Sequence, residues 1–254
     1  MLSDLDRVPW SGLEHAYGKA TDVPGLLRDL ASPVEDARGR AVWELRGNIW
    51  HQGTVYEATA HAVPFLVEIV DARARVPSDT RAEVLHLLMD IADGSSYLDV
   101  HRPLIRDETL SADRLAHLEE DLVRELRWVA DARGAVEAHL GTLLRALDEA
   151  SPLLQAAGAG IAASFPAKAS SHLRRIEELR DAASGPREGL FQLVATIVSG
   201  QPVTPALLQE AADTDEDVAR LVAELVTEGL ELPELIPLVV EALVERSLAE
   251  AYPT

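Results

Sequence analysis

Three stretches of this chain share one design: SPVEDARGRAVWEL (32–45), SPLLQAAGAGIAAS (151–164) and DTDEDVARLVAEL (213–225). Each follows a leucine-rich helical pattern, opens on a turn containing Ser, Asp or Pro, and runs into a helix of small residues. A unit made of helix, tight turn and small-residue helix cannot bury its apolar face alone, so it stacks on neighbours of its own kind. The small residues let paired helices approach closely. Repetition of such a unit is the sequence signature of an α-solenoid.

The rest of the chain agrees with this design. DVPGLLRDLAS (22–32) reads as a short amphipathic helix with proline in its first turn, where a missing N–H costs nothing. Ala37, Ala41, Leu45 and Ile49 stand four apart, a single apolar stripe over 34–49. TRAEVLHLLMDIA (80–92) carries Val84, Leu85, Leu88, Ile91 and Ala92 on one side. Helical patterns recur at about 112–131, 134–150, 152–165, 168–183, 186–199, 204–212, 215–229 and 233–251. No segment alternates as a strand should, and the connections are short. Residues 93–111 fit no repeat and read as one irregular insertion. The expected fold is all-α, one domain over 1–254, with an aromatic- and histidine-rich N-terminal half (1–139) and regular aliphatic repeats over 140–254.

Charge narrows the partners. The chain carries 43 acids against 23 bases, and Lys19 and Lys168 are its only lysines. Nucleic-acid binding requires basic side chains to neutralise phosphates, so nucleic acid is not an expected partner. Anionic membrane surfaces are disfavoured for the same reason, and no apolar run reaches the ~20 residues that span a bilayer. The acidic start, MLSDLDRVPW, lacks the basic-then-apolar pattern of a secretory signal. Cysteine is absent, which removes disulfides, thiolate metal sites and a cysteine nucleophile and suits the cytoplasm.

One stretch breaks the plain helical texture: HQGTVYEATAHAVPF (51–65). Thr54 and Glu57 fit a capping box, which predicts a loop at HQG and a helix from about Val55. Gly53 permits the turn, and Pro64 predicts a kink or restart near Val63. Capping does not account for Trp50, His51, Gln52, Tyr56 or His61. His61 lies four residues after Glu57, so the two read either as a surface pair or as part of a site.

Aromatic residues are unevenly spread. Trp10, Trp43, Trp50 and Trp128, the whole tryptophan complement, and seven of the eight histidines lie within the first 139 residues. Such residues either fill a bulky N-terminal core or form a recognition surface, for which Trp and Tyr are suited. The insertion holds Tyr97, Asp99, His101, Arg102 and Arg106, and solenoid insertions tend to form loops on the binding face. If it lies near the HQGT loop, then His51, Tyr56, His61 and His101 are candidate acid–base groups, because imidazole titrates near neutrality. Trp10, Trp43, Trp50, Gln52, Tyr97, Asp99, Arg102 and Trp128 are then candidate binding residues. No two histidines stand three or four apart, HExxH is missing, and no phosphate loop or nucleophile elbow is present, so neither metal nor cofactor is expected.

VPGLLRDLASPVEDARGRAVWEL and AVPFLVEIVDA resemble HEAT-repeat units, with proline and leucines in the first helix and Ala and Arg in the second. WELRGNIWHQGTVYEATAHAVPFL followed by DGSSYLDVHR resembles a bacterial group of HEAT-repeat proteins. The resemblance implies a right-handed α-solenoid of HEAT-like hairpins that binds a protein, a peptide or an apolar small molecule on a concave N-terminal surface. A minority of HEAT-like families are enzymes. The alternative is therefore a cofactor-independent acid–base enzyme of lyase, isomerase or cyclase type in the same concavity. A third reading is an acidic binder of a basic protein, with salt-sensitive association.

Overall fold

A computed structural model of the chain describes residues 1–102 and 111–249. The chain divides into two compact units, Met1–Leu140 and Gly141–Thr254. Both are mostly helical, as the period predicts, and no helix among the described residues is long and apolar enough to cross a membrane.

The first unit opens with a short antiparallel hairpin, β1 (Glu14–His15) and β2 (Gly18–Lys19), followed by α1 (Val23–Asp29) and α2 (Glu35–Ile49). A second hairpin, β3 (Trp50–His51) and β4 (Thr54–Val55), leads into α3 (Glu57–Asp71) and α4 (Ser78–Ala92). The short α5 (Tyr97–His101) and the long α6 (Ala112–Ala138) complete it. Helix α4 is the centre, with α2, α3 and α6 packed on it. From Thr80 to Ala92 nearly every residue of α4 is buried. The single apolar side expected from Val84, Leu85, Leu88, Ile91 and Ala92 is therefore too narrow: Ala82, Leu87 and Met89 are buried too, because α4 is covered on more than one side.

Burying α4 on all sides also buries Thr80, Arg81, His86 and Asp90. Each must find a polar partner or lose its hydration at a cost of kilocalories. Arg81 donates to the Val70 carbonyl at 2.6 Å, and Arg38 of α2 donates to the Thr80 hydroxyl at 3.0 Å.

The second unit begins within α7 (Leu140–Leu143), passes through a 3₁₀ turn at Leu144–Asp148, and continues as α8 (Pro152–Ser164). The short α9 (Pro166–Ala169), α10 (Leu173–Ala182), α11 (Pro186–Val198), α12 (Pro205–Ala212), α13 (Glu216–Thr227) and α14 (Leu232–Ala249) follow. Helix α8 is formed by the small-residue stretch SPLLQAAGAGIAAS. Its run from Ala156 to Ala162 is wholly buried, and a Cβ on Gly158 would sit 3.1 Å from the Ala146 methyl. Helix α11 packs on α8, α10, α12 and α14. At Gly189 the approach of α12 is closest: a Cβ there would collide with the Ala211 carbonyl oxygen and the Thr214 hydroxyl.

Local expectations were mostly met, with instructive exceptions. Strand pairing was not expected, yet two hairpins form, each only two residues per strand and too short to show alternation. Helix α6 does not break near residue 133 but runs to Ala138 through Gly134. Helix α3 does not restart at Val63; it continues across Pro64, which is exposed on its surface. The insertion contains α5, and its residues 103–110, Arg106 among them, lie outside the described residues.

Gly189→Ala is expected to lower the unfolding free energy by about 1–3 kcal/mol, because the α11–α12 backbones must separate to admit the methyl group. Urea unfolding followed by far-ultraviolet circular dichroism measures it; an unchanged midpoint would mean the crossing is looser than described.

Candidate functional site

The second hairpin is the organising feature. Trp50 pairs with Val55 and His51 with Thr54, leaving Gln52 and Gly53 as the turn. Both turn residues have positive φ, +51° and +86°, the requirement of a two-residue turn that matches strand twist. Gly53 adopts this freely, whereas Gln52 does so at an energetic cost.

The capping box expected at Thr54 and Glu57 is not formed, because Thr54 belongs to β4. Instead Thr59, buried in the first turn of α3, accepts the Tyr56 N–H at 2.8 Å and donates to the Ile49 carbonyl at 2.5 Å. One hydroxyl thus ties the end of α2 to the start of α3 and closes the hairpin between them. Glu57 accepts the Glu14 N–H at 3.2 Å, which brings the first hairpin alongside.

The DGSSY segment lies on the HQGT turn. Ser95 donates its N–H to the Gly53 carbonyl at 2.8 Å, and the Ser95 carbonyl accepts the Val55 N–H at 3.1 Å. Gly94 makes this possible, since a Cβ there would stand 2.5 Å from a Val55 methyl. Ser96 caps α5 by accepting the Asp99 N–H at 3.0 Å. Glu125 of α6 holds the segment from behind, accepting the Ser96 hydroxyl and the Leu98 N–H, each at 2.8 Å.

Between the two hairpins and α2 lies a groove, open on one side, with a volume of about 510 Å³. Among its lining residues, Asp22 accepts from His15 Nε2 at 2.9 Å and from the Asn48 amide at 2.7 Å. His15 Nδ1 accepts the Tyr17 N–H at 3.0 Å, so the ring proton is fixed on Nε2 and both nitrogens are committed. The Tyr17 hydroxyl lies 3.4 Å from His51 Nδ1, with the rings edge to face at 5.4 Å. Trp43, Glu44, Arg46, Trp50 and Gln52 complete the walls. Trp43 is 76% exposed and Tyr17 69%.

Arg46 connects the groove to the core. Its guanidinium lies over the Trp50 ring, 5.6 Å from the centroid, and its far end bonds Asp90 and, at 3.2 Å, His86 Nδ1. His86 is sealed among the helices; burial first, and the Arg46 charge second, lower its pKa from 6.5 to about 3. It is therefore a neutral imidazole that accepts from Arg46 at Nδ1 and carries its proton on Nε2, an atom without a hydrogen-bond partner among the described residues.

The sequence candidates separate into three groups. Trp43, Trp50, His51 and Gln52 line the groove together. Tyr56 and Tyr97 stand beside it. The Tyr56 phenol is pushed up by burial, then by Glu125, Tyr17 and Tyr97, so it is a proton donor near neutrality. His101 stacks on Tyr97 at 4.1 Å and places Nδ1 2.8 Å from the Tyr97 carbonyl. The remaining candidates do not line the groove. Trp10 is core, with its N–H on the Leu5 carbonyl at 2.8 Å and its ring near Phe65. His61 is exposed on α3, Asp99 and Arg102 belong to the α5 segment, and Trp128 lies under Arg124 on α6. No ion pair forms between Glu57 and His61; Glu57 is used by the first hairpin instead.

Sequence reasoning missed His15, Tyr17, Asp22, Glu44, Arg46 and Asn48 as site residues. A signal was present: HAYG (15–18) and HQG (51–53) both start with histidine and turn at a positive-φ glycine. Among the described residues no group of three or more His, Asp or Glu is placed to hold a metal ion. The chain matches no protein-family model, no curated protein and no solved structure.

Two stability experiments test this geometry. Thr59→Val should cost about 1–3 kcal/mol in thermal or urea unfolding, since it strips a buried N–H and a buried carbonyl of their shared partner; a cost near zero would show the bridge to be dispensable. His86 adds a pH dependence. Below pH 6.5 the unfolded chain protonates this residue while the folded chain does not until about pH 3. Its contribution to stability is therefore unaffected above pH 6.5 and declines below it by up to about 1.4 kcal/mol per pH unit. His86→Gln lacks this proton linkage, so the stability gap between wild type and variant should shift against the wild type as pH falls from 6.5 toward 4. A constant gap would show that His86 is not held neutral.

Proposed function

We propose that this chain is a binding protein built from HEAT-like helix pairs, and that the groove of its first unit recognises a protein, peptide or small-molecule ligand. The helix pairs α1–α2, α3–α4, α11–α12 and α13–α14, each packed together across a short connection, support the HEAT-like reading. The observation that carries the binding reading is the exposure of Trp43 and Tyr17 at the rim of one groove. Large aromatic surface held in water forgoes roughly 25 cal/mol for each Å² left unburied, and a ligand that covers it recovers that energy. The polar lining of His15, Asp22 and Asn48 is already internally bonded, which gives shape and orientation without titratable groups free to react. A cytoplasmic setting, with no nucleic-acid or membrane partner, is proposed on the acidic, cysteine-free composition.

An acid–base enzyme is the second reading, and the Tyr17–His51 contact favours it. His51 is the one groove histidine with a nitrogen uncommitted among the described residues, since His15 has both engaged. General catalysis of proton transfer asks for a base within reach of substrate and a second group to return the proton. Tyr17 can fill the second role only while it stays bonded to the first.

The test is a ligand-observed NMR screen of metabolite and short-peptide mixtures against wild type, Trp43→Ala and His51→Ala. Binding lost in Trp43→Ala, with far-ultraviolet dichroism unchanged, is the expected result; binders that survive both substitutions would place the site elsewhere. Turnover of any hit by wild type and not by His51→Ala would favour the enzyme.

A further inference from the structure

The charges around the groove say more about what it receives. Two carboxylates line it, Asp22 and Glu44, against a single cation, Arg46. That cation is already spent: one guanidinium nitrogen bonds Asp90, another bonds His86, and its face lies on Trp50. Asp22 is satisfied by neutral donors, His15 and Asn48, which orient the carboxylate without cancelling its charge. Glu44 has no hydrogen bond or ion pair among the described residues. Trp43 and Tyr17, both largely exposed, line the same groove.

We infer that the groove receives the guanidinium group of an arginine carried on a peptide segment of a partner protein. This rests on the proposed binding role of the groove. A flat, delocalised cation is the group that satisfies both features at once: it stacks on tryptophan and tyrosine faces and donates two parallel N–H bonds to a carboxylate. An ammonium is more strongly hydrated and cannot form the planar stack. The arginine is peptide-borne because a free amino acid brings a zwitterionic α-centre whose carboxylate finds no uncommitted cation in the wall, whereas a peptide brings neutral amides there. The open side and the volume of about 510 Å³ leave room for the chain on either side of the arginine. The net charge of −20 draws a basic partner from a distance and speeds encounter.

The experiment titrates the full-length protein, by tryptophan fluorescence and by NMR, with three probes: acetyl-Gly-Arg-Gly-amide, the same tripeptide with citrulline for arginine, and free L-arginine. Citrulline keeps the shape and removes the charge. The arginine tripeptide is expected to bind about tenfold more tightly than either other probe, because both the charge-assisted bonds and the cation–π stack need the charged group. Glu44→Gln should weaken the arginine tripeptide about fivefold and leave the citrulline tripeptide unchanged, and added salt should weaken it in the same direction. Equal binding of the arginine and citrulline tripeptides, or no saturation by the arginine tripeptide up to about 10 mM, overturns the inference. Free arginine binding as well as the tripeptide overturns the peptide source. If these probes fail while the mixture screen finds a ligand lost in Trp43→Ala, the ligand class is wrong and the groove stands; if both fail, the groove is not the site.

Discussion

A helix buried on every side sets the terms for the whole first unit. Helix α4 is apolar enough to seed a core, but it takes Thr80, Arg81, His86 and Asp90 inside with it. The neighbour that answers three of these four demands is α2. Arg38 reaches the Thr80 hydroxyl and Arg46 reaches Asp90 and His86. These arginines are eight residues apart, close to two helical turns plus a little, so both project to the same side of α2. Their engagement fixes the rotation of α2 on the core. With that rotation fixed, Trp43, Glu44, Arg46 and Gly47 of α2 line the groove.

The two hairpins complete what α2 begins. Neither has enough strand to be stable alone. Each is held by side chains outside it: the first by Glu57 and by the Ala16–Asn48 backbone bond, the second by Thr59 and by Ser95. Every one of these contacts is also a contact of a groove-forming segment. The groove is thus a by-product of how the hairpins are anchored, and its bonded polar residues serve structure first. In the proposed binding role, the ligand-facing groups are those the fold does not consume: Trp43, Glu44, Tyr17 and one nitrogen of His51.

The mostly helical class was legible because helical period is a local property. The stretches SPVEDARGRAVWEL, SPLLQAAGAGIAAS and DTDEDVARLVAEL became α2, α8 and α13, with helix starts within a few residues of the turn signals. What escaped were features whose cause is not local. Thr59 outcompeted Thr54 as the capping partner because it meets the Ile49 carbonyl as well, a contact between residues ten apart that no spacing rule contains. Trp10 and Trp43 look alike in sequence; one fills the core beside Phe65 and the other stands in solvent, and only the packing of α3 and α4 distinguishes them. The candidate site was half legible. Trp43 and Trp50 stood out by type, while Tyr17, Asp22, Glu44, Arg46 and Asn48 did not stand out until the fold brought them together.

The uneven placement of tryptophan has an optical consequence. All four indoles precede residue 140, so intrinsic tryptophan emission comes from the first unit alone, while the helical dichroism signal comes from both. The two spectroscopies therefore look at different parts of the molecule. A denaturation curve in which emission and ellipticity change together would mean that the units unfold as one cooperative body; curves that part company would give the stability of each unit separately, from a single unlabelled sample.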